Sequence, residues 1–109
     1  MRVPLRQIAL ARSGDKGAHA NIGVWTADDD HYELLLAEVT AERVADHFAA
    51  LSPRRVDRYE LPNLRACNFV LRDVLGVGGA AASPRTDAQA KTYAQGILLI
   101  EVDLPGSPD

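Results

Sequence analysis

Cysteine is nearly absent from this chain of 109 residues: Cys67 stands alone. No internal disulfide can form and no Cys-pair metal site exists, which excludes zinc-finger and thioredoxin-type readings and fits a reducing compartment. Long hydrophobic runs are also missing. None is longer than four residues, as at Leu34 to Ala37 and Ile97 to Ile100, far short of the roughly 18 residues a membrane span requires. No charged-then-apolar leader opens the sequence, so a soluble cytoplasmic protein with no membrane partner is expected. An excess of positive charge is lacking too. With a net charge of -3 and a pI near 5.5, no broad positive field exists to hold a phosphate backbone, and nucleic acid is not expected as a partner.

What is present is an ordinary globular composition, 47% hydrophobic and 25% charged, on a length suited to one core. A single domain over residues 1–104 is expected, with residues 105–109 as a frayed, proline-containing tail.

Val3 to Ala11 carries Val3, Leu5, Ile8 and Leu10 without a helical stripe and predicts a strand. Arg12 to Ala20, with two glycines and no periodicity, predicts a loop. Asn21 to Thr26 alternates and predicts a returning strand, making the loop the tip of a wide hairpin. Asp28, Asp29 and Asp30 precede Tyr32, Leu35, Leu36 and Val39, an acidic entry to an amphipathic helix. Thr40 is placed to cap a second helix with Val44, Phe48 and Leu51 on its apolar stripe. Arg55 to Leu61 predicts a strand stopped by Pro62.

From Leu64 to Leu75, the positions Leu64, Cys67, Leu71, Val74 and Leu75 share a helical face, with Gly76 as a left-handed cap. Phe69 and Val70 lie off that stripe. Gly76 to Gly79 forms a pliable connector, and Thr86 with Gln89 makes a capping box for a short helix to about Gln95. Ile97 to Val102 is β-rich enough for a last strand, with a continuing helix as the alternative. The sum is an α+β two-layer sandwich, helices on one face of a mainly antiparallel sheet. Its open face or edge gives a reason to oligomerise or to dock on a larger protein.

Ser13-Gly14-Asp15-Lys16-Gly17 is the most chemically loaded stretch. Paired glycines let backbone amides turn to a common point and Lys16 adds charge, so a phosphate or carboxylate can be held there. The glycine spacing is too short for a Walker A sequence. A polar hairpin tip with Asp15 bonded to its own backbone is the competing reading, and the residues alone leave both open. Asp15 with His19 offers a base or two metal ligands, but nothing supplies the remaining ligands, so neither metal nor cofactor is expected.

Asn68, on the predicted stripe, either pins a loop as a core amide or faces a ligand. Asn63 is a natural cap after Pro62, and Asn21 is placed to brace the glycine stretch. Asp87 and Lys91 suit a surface ion pair, and Cys67 a small inert hydrophobe.

Taken together, five blocks resemble the C-terminal ferredoxin-like domain of the acyclic terpene utilisation (AtuA) family. They are Ala11 to Gly17, Asn21-Ile22-Gly23-Val24, Tyr59 to Leu64, Asn68-Phe69-Val70-Leu71 and Leu75-Gly76. The likeness runs from about residue 5 to 102. Two departures are late: Ala90 stands where the family usually has glycine, and Pro84 interrupts an expected Ser-Leu-Arg segment, which weakens any role for Asp87 and Lys91.

The resemblance implies a ferredoxin-like fold. It also implies a small subunit that docks on a separate large AtuA-like subunit in the breakdown of acyclic terpenoids or related acyl-CoA and carboxylate compounds. Its catalytic roles do not transfer. Ser13, Gly14, Asp15, Lys16, Gly17 and Asn21 would contact an anionic group, with Asn63 and Asn68 in support. The alternatives are an autonomous homo-oligomeric enzyme using Asp15 or Lys16 in proton transfer, and a purely structural oligomer.

Overall fold

In the computed structural model, residues 1–16, 19–51, 53–73 and 93–104 are described, Asp15 and Lys16 by backbone alone. In chain order they form β1 (Arg2–Pro4), β2 (Ala9–Lys16), β3 (His19–Thr26), α1 (Asp29–Glu38), α2 (Ala41–His47), β4 (Arg55–Leu61), β5 (Ala66–Arg72), a helical stretch α3 at residues 93–97, and β6 (Glu101–Asp103). Short 3-10 turns at Leu5–Gln7 and Pro62–Leu64 precede β2 and β5. The main sheet is antiparallel with strand order β2-β3-β5-β4, and β1 pairs with β6 in a second, two-stranded sheet.

Strict alternation decides which face of the main sheet is covered. Ala20, Ile22, Val24 and Thr26 of β3 and Cys67, Phe69 and Leu71 of β5 are all buried, and the helices lie over this side, α1 against β3 and α2 against β4. Leu35, Val39 and Val44 come down from the helices onto the same cluster. Each fully buried side chain of the size of Phe69, Leu71 or Ile22 contributes about 1.5–3 kcal/mol relative to exposure. The core therefore fixes the register, because a slip by one residue would turn every one of these groups to the other side.

Polar groups on the covered side are used to fasten the helices. The Asp28 carboxylate accepts the His31 amide at 2.8 Å and caps α1, and the Thr40 hydroxyl accepts the Arg43 amide at 3.1 Å and caps α2, both at the expected positions. Arg58 of β4 donates to the Leu36 and Val39 carbonyls, at 2.8 and 3.0 Å, satisfying the C-terminal end of α1. Arg43 donates to the carbonyls of Glu38 and Glu101, joining α1 to β6. No helix among the described residues is long and apolar enough to cross a membrane.

The strand Arg55–Leu61 and the helices after Asp28 and Thr40 lie where the sequence places them. Three expectations need correction. The strand Val3 to Ala11 is broken by the turn Leu5–Gln7, which buries Leu5 completely and bonds its amide to the Ile100 carbonyl at 2.7 Å. Most of the expected loop is instead ladder: β2 runs to Lys16 and β3 starts at His19, with Gly14 opposite Asn21 and Lys16 opposite His19, so the strands stay paired well past Arg12. The helix of Leu64 to Leu75 is the strand β5 over Ala66–Arg72, whose inward residues Cys67, Phe69 and Leu71 recur every second position. At the end of the chain, residues 93–97 are helical and the strand begins only at Glu101. The connector Gly76 to Gly79, the Thr86 capping box, Pro84, Asp87, Ala90, Lys91 and the tail 105–109 lie outside the described residues.

Candidate functional site

The other side of the main sheet is built of cross-strand rows set by the same register. One row reads Leu10, Trp25, Ala66, Leu61; the next Arg12, Gly23, Asn68, Tyr59; the next Gly14, Asn21, Val70, Asp57. Apolar groups thus mark one end and polar groups the middle. Leu10 and Tyr59 are 61% and 47% exposed, whereas Asn21, Gly23, Trp25 and Asn68 are half-buried in a depression.

That depression is a hollow of about 560 Å³ lined by Arg12, Ser13, Gly14, Asn21, Gly23, Trp25 and Asn68. It exists because two strand residues have no side chain. A methyl group on Gly14 would meet nothing within 4 Å, and one on Gly23 would meet only the Arg12 carbonyl at 3.8 Å and the Asn68 amide oxygen at 4.0 Å. Glycine inside a strand weakens it, and one use of that cost is to let a ligand approach the backbone.

Around this floor, the Arg12 guanidinium and the Asn21 and Asn68 amides have no hydrogen-bond or ion-pair partner among the described residues. Arg12 supplies a permanent positive charge with paired N–H donors, a geometry that matches a carboxylate. The amides supply donors and acceptors on either side, and Trp25 an apolar wall. Among the described residues no carboxylate, imidazole or thiol lines the hollow. These groups can bind and orient an anion.

Among the residues singled out from sequence, Ser13, Gly14, Asn21 and Asn68 are gathered at the hollow. Ser13 is at its margin, since its hydroxyl accepts the Ala94 amide at 3.3 Å and ties β2 to α3. Asp15 and Lys16 continue β2 beyond Gly14, and Gly17 lies outside the described residues. Asn63 sits apart, exposed in the turn Pro62–Leu64, where it is not the capping residue. Arg12, Gly23 and Trp25 were not foreseen as site residues. Their signal was present as alternation: once β3 is a strand, Asn21, Gly23 and Trp25 must share a face.

Two ionisable groups away from the hollow are held by their surroundings. Burial pushes the Cys67 thiol up to about 11, so it is no nucleophile at neutral pH. The Arg72 guanidinium beside Asp57 holds that carboxyl below its ordinary range. Among the described residues no group of three or more His, Cys, Asp or Glu side chains could hold a metal ion.

No curated protein and no solved structure matches this chain. The family model of the AtuA ferredoxin-like domain matches residues 3–103, nearly the whole sequence, including all four strands of the main sheet. The blocks that line the hollow fall inside that match, and the chain belongs to the AtuA ferredoxin-like domain family.

Proposed function

We propose that this chain is the small subunit of an AtuA-type assembly acting on carboxylates or acyl-CoA thioesters of acyclic terpenoid origin, and that its sheet hollow receives their anionic group. The observation that carries this reading is a set of groups with no partner among the described residues over a glycine floor: Arg12, Asn21 and Asn68 around Gly14 and Gly23. An arginine without a counter-ion among the described residues, beside two amides likewise unpartnered among them, suits a guest that brings the negative charge. The apolar row at the end of the same face, with Leu10 61% and nearby Leu64 68% exposed, supports docking of a larger AtuA-like protein there.

The proposed anion site is a glycine-floored sheet surface that includes Ser13 and Gly14 of the expected stretch. Titrating the labelled protein with octanoate and with octanamide tests it. The acid is expected to shift the side-chain amide resonances of Asn21 and Asn68, and Arg12→Ala to abolish the shift. Equal response to acid and amide, or none to either, would count against it. Co-purification of a large AtuA-like protein, lost when Leu10 and Leu64 become Asp, tests the docking.

A further inference from the structure

The polar row does not stop at Asn68. Its next member is Tyr59 on β4, paired directly with Asn68 across the ladder. Two such partners hold their Cβ atoms about 4.5–5.5 Å apart on one face, so the phenol adjoins the amide that borders the hollow.

How Tyr59 is held matters more than where it is. Arg72 Nη2 donates to the Tyr59 hydroxyl oxygen at 3.0 Å, while Arg72 Nε donates to Asp57 Oδ2 at 3.0 Å. Asp57 is also engaged by Arg55, so the guanidinium is anchored from behind. A guanidinium can only donate, and the phenol must therefore be the acceptor in this bond. Its own proton has no acceptor among the described residues and is available outward, where Tyr59 is 47% exposed. A hydroxyl that accepts from a cation is a stronger donor, because each bond polarises the next.

We infer that Tyr59 is a further binding residue of this site, donating its proton to a neutral oxygen, such as a carbonyl, of an elongated ligand whose carboxylate sits at Arg12. The inference rests on the anion reading given above. The row fixes the scale: three strand spacings separate Arg12 from Tyr59, about 14 Å between backbones. The half-buried Asn68 lies between them, beside the Gly23 gap over which the ligand's chain would run.

The test compares straight-chain acids of about eight to twelve carbons, a range set by that spacing, with acids of equal length ending in a methyl ketone. One neutral hydrogen bond predicts that the best keto acid binds about fivefold tighter than its parent acid. Tyr59→Phe should erase this advantage and leave the parent acid's affinity unchanged. Arg72→Lys should reduce it too, because one ammonium cannot hold Asp57 and the phenol in the same geometry. A keto advantage that survives Tyr59→Phe, or its absence at every length in the unaltered protein, overturns the role of Tyr59 while leaving anion binding at Arg12 intact. Binding of neither acid overturns the anion reading and this inference together.

Discussion

Gly23 faces Asn68 across β3 and β5, and a methyl group built on Gly23 would stop 4.0 Å from the Asn68 amide oxygen. That is ordinary van der Waals contact, so the absence of a side chain is not forced by crowding. Replacing glycine by alanine where the backbone permits it narrows the unfolded ensemble and stabilises by about 0.4–1 kcal/mol. Gly23→Ala should therefore raise the thermal midpoint, and Gly23→Val should keep the fold while filling the hollow. Circular dichroism melts with octanoate titration would show it. A protein left folded by Gly23→Val and still binding the acid would place the site elsewhere.

The same pair shows how far the sequence could be read. Leu64, Cys67 and Leu71 satisfy a helical spacing, and they made residues 64–75 look like a helix with Asn68 on its stripe. Phe69, the residue that did not fit, was the informative one, since Cys67, Phe69 and Leu71 satisfy period two and are all fully buried. A short apolar run between turn signals cannot be assigned by periodicity alone, and here pairing with β3 and β4 decides it. In the stretch from Ser13 to Gly17 the glycines suggested a loop, because sequence does not distinguish a glycine that bends a chain from one that clears space above a strand. The caps at Asp28 and Thr40 were legible because capping is a contact between neighbours in sequence. The hollow was legible only in part, because its lining comes from three strands whose register is a long-range property.

Arg58 should prove the costliest charged residue to remove. Its side chain is 19% exposed and donates to two carbonyls at the end of α1 as well as to Glu60 at 3.0 Å. Bonds to a charged group are worth about 1.5–3 kcal/mol each at most, and they are not additive. Arg58→Ala is expected to lower unfolding free energy by about 2–3 kcal/mol in urea melts. Arg58→Lys should recover less than half, since an ammonium lacks the planar fork that reaches both carbonyls. A loss below about 0.5 kcal/mol, the size typical of an exposed ion pair, would contradict this placement.

Tyr32 should behave in the opposite way. Its ring is buried beneath the sheet, yet its hydroxyl has no hydrogen-bond partner among the described residues. Burial, the largest effect, raises the phenol's pKa, and the Leu61 backbone amide opposes it slightly without reaching hydrogen-bonding geometry. An unpartnered buried hydroxyl costs about 1–3 kcal/mol, so Tyr32→Phe should leave stability unchanged or raise it by about 1 kcal/mol. A clear loss would mean that the hydroxyl is satisfied in solution, by an ordered water or by a shift toward the Leu61 amide.

Cys67 gives the chain an alkaline limit. Burial is the main cause that pushes its thiol from 9.0 to about 11, with Arg58 acting in the opposite sense and Glu60 adding a little. In the unfolded chain the thiol loses its proton near the lower value, whereas in the folded chain it keeps it to the higher one. The folded state therefore binds more protons between these limits, and stability must fall as pH rises through that window. Below pH 9 the contribution of the neutral thiol is fully present; by pH 11 it is gone. Cys67→Ala would lose packing worth roughly 1 kcal/mol at neutral pH, but its urea midpoint should decline less steeply between pH 9 and 11. Tyr32 titrates with the same sign, so the comparison is cleanest in a Tyr32→Phe background. The native thiol should likewise resist a thiol-specific disulfide reagent at pH 8 and react fully in denaturant. Fast labelling of the native protein would mean that the space between α1 and the sheet opens, and the predicted alkaline slope would then vanish with it.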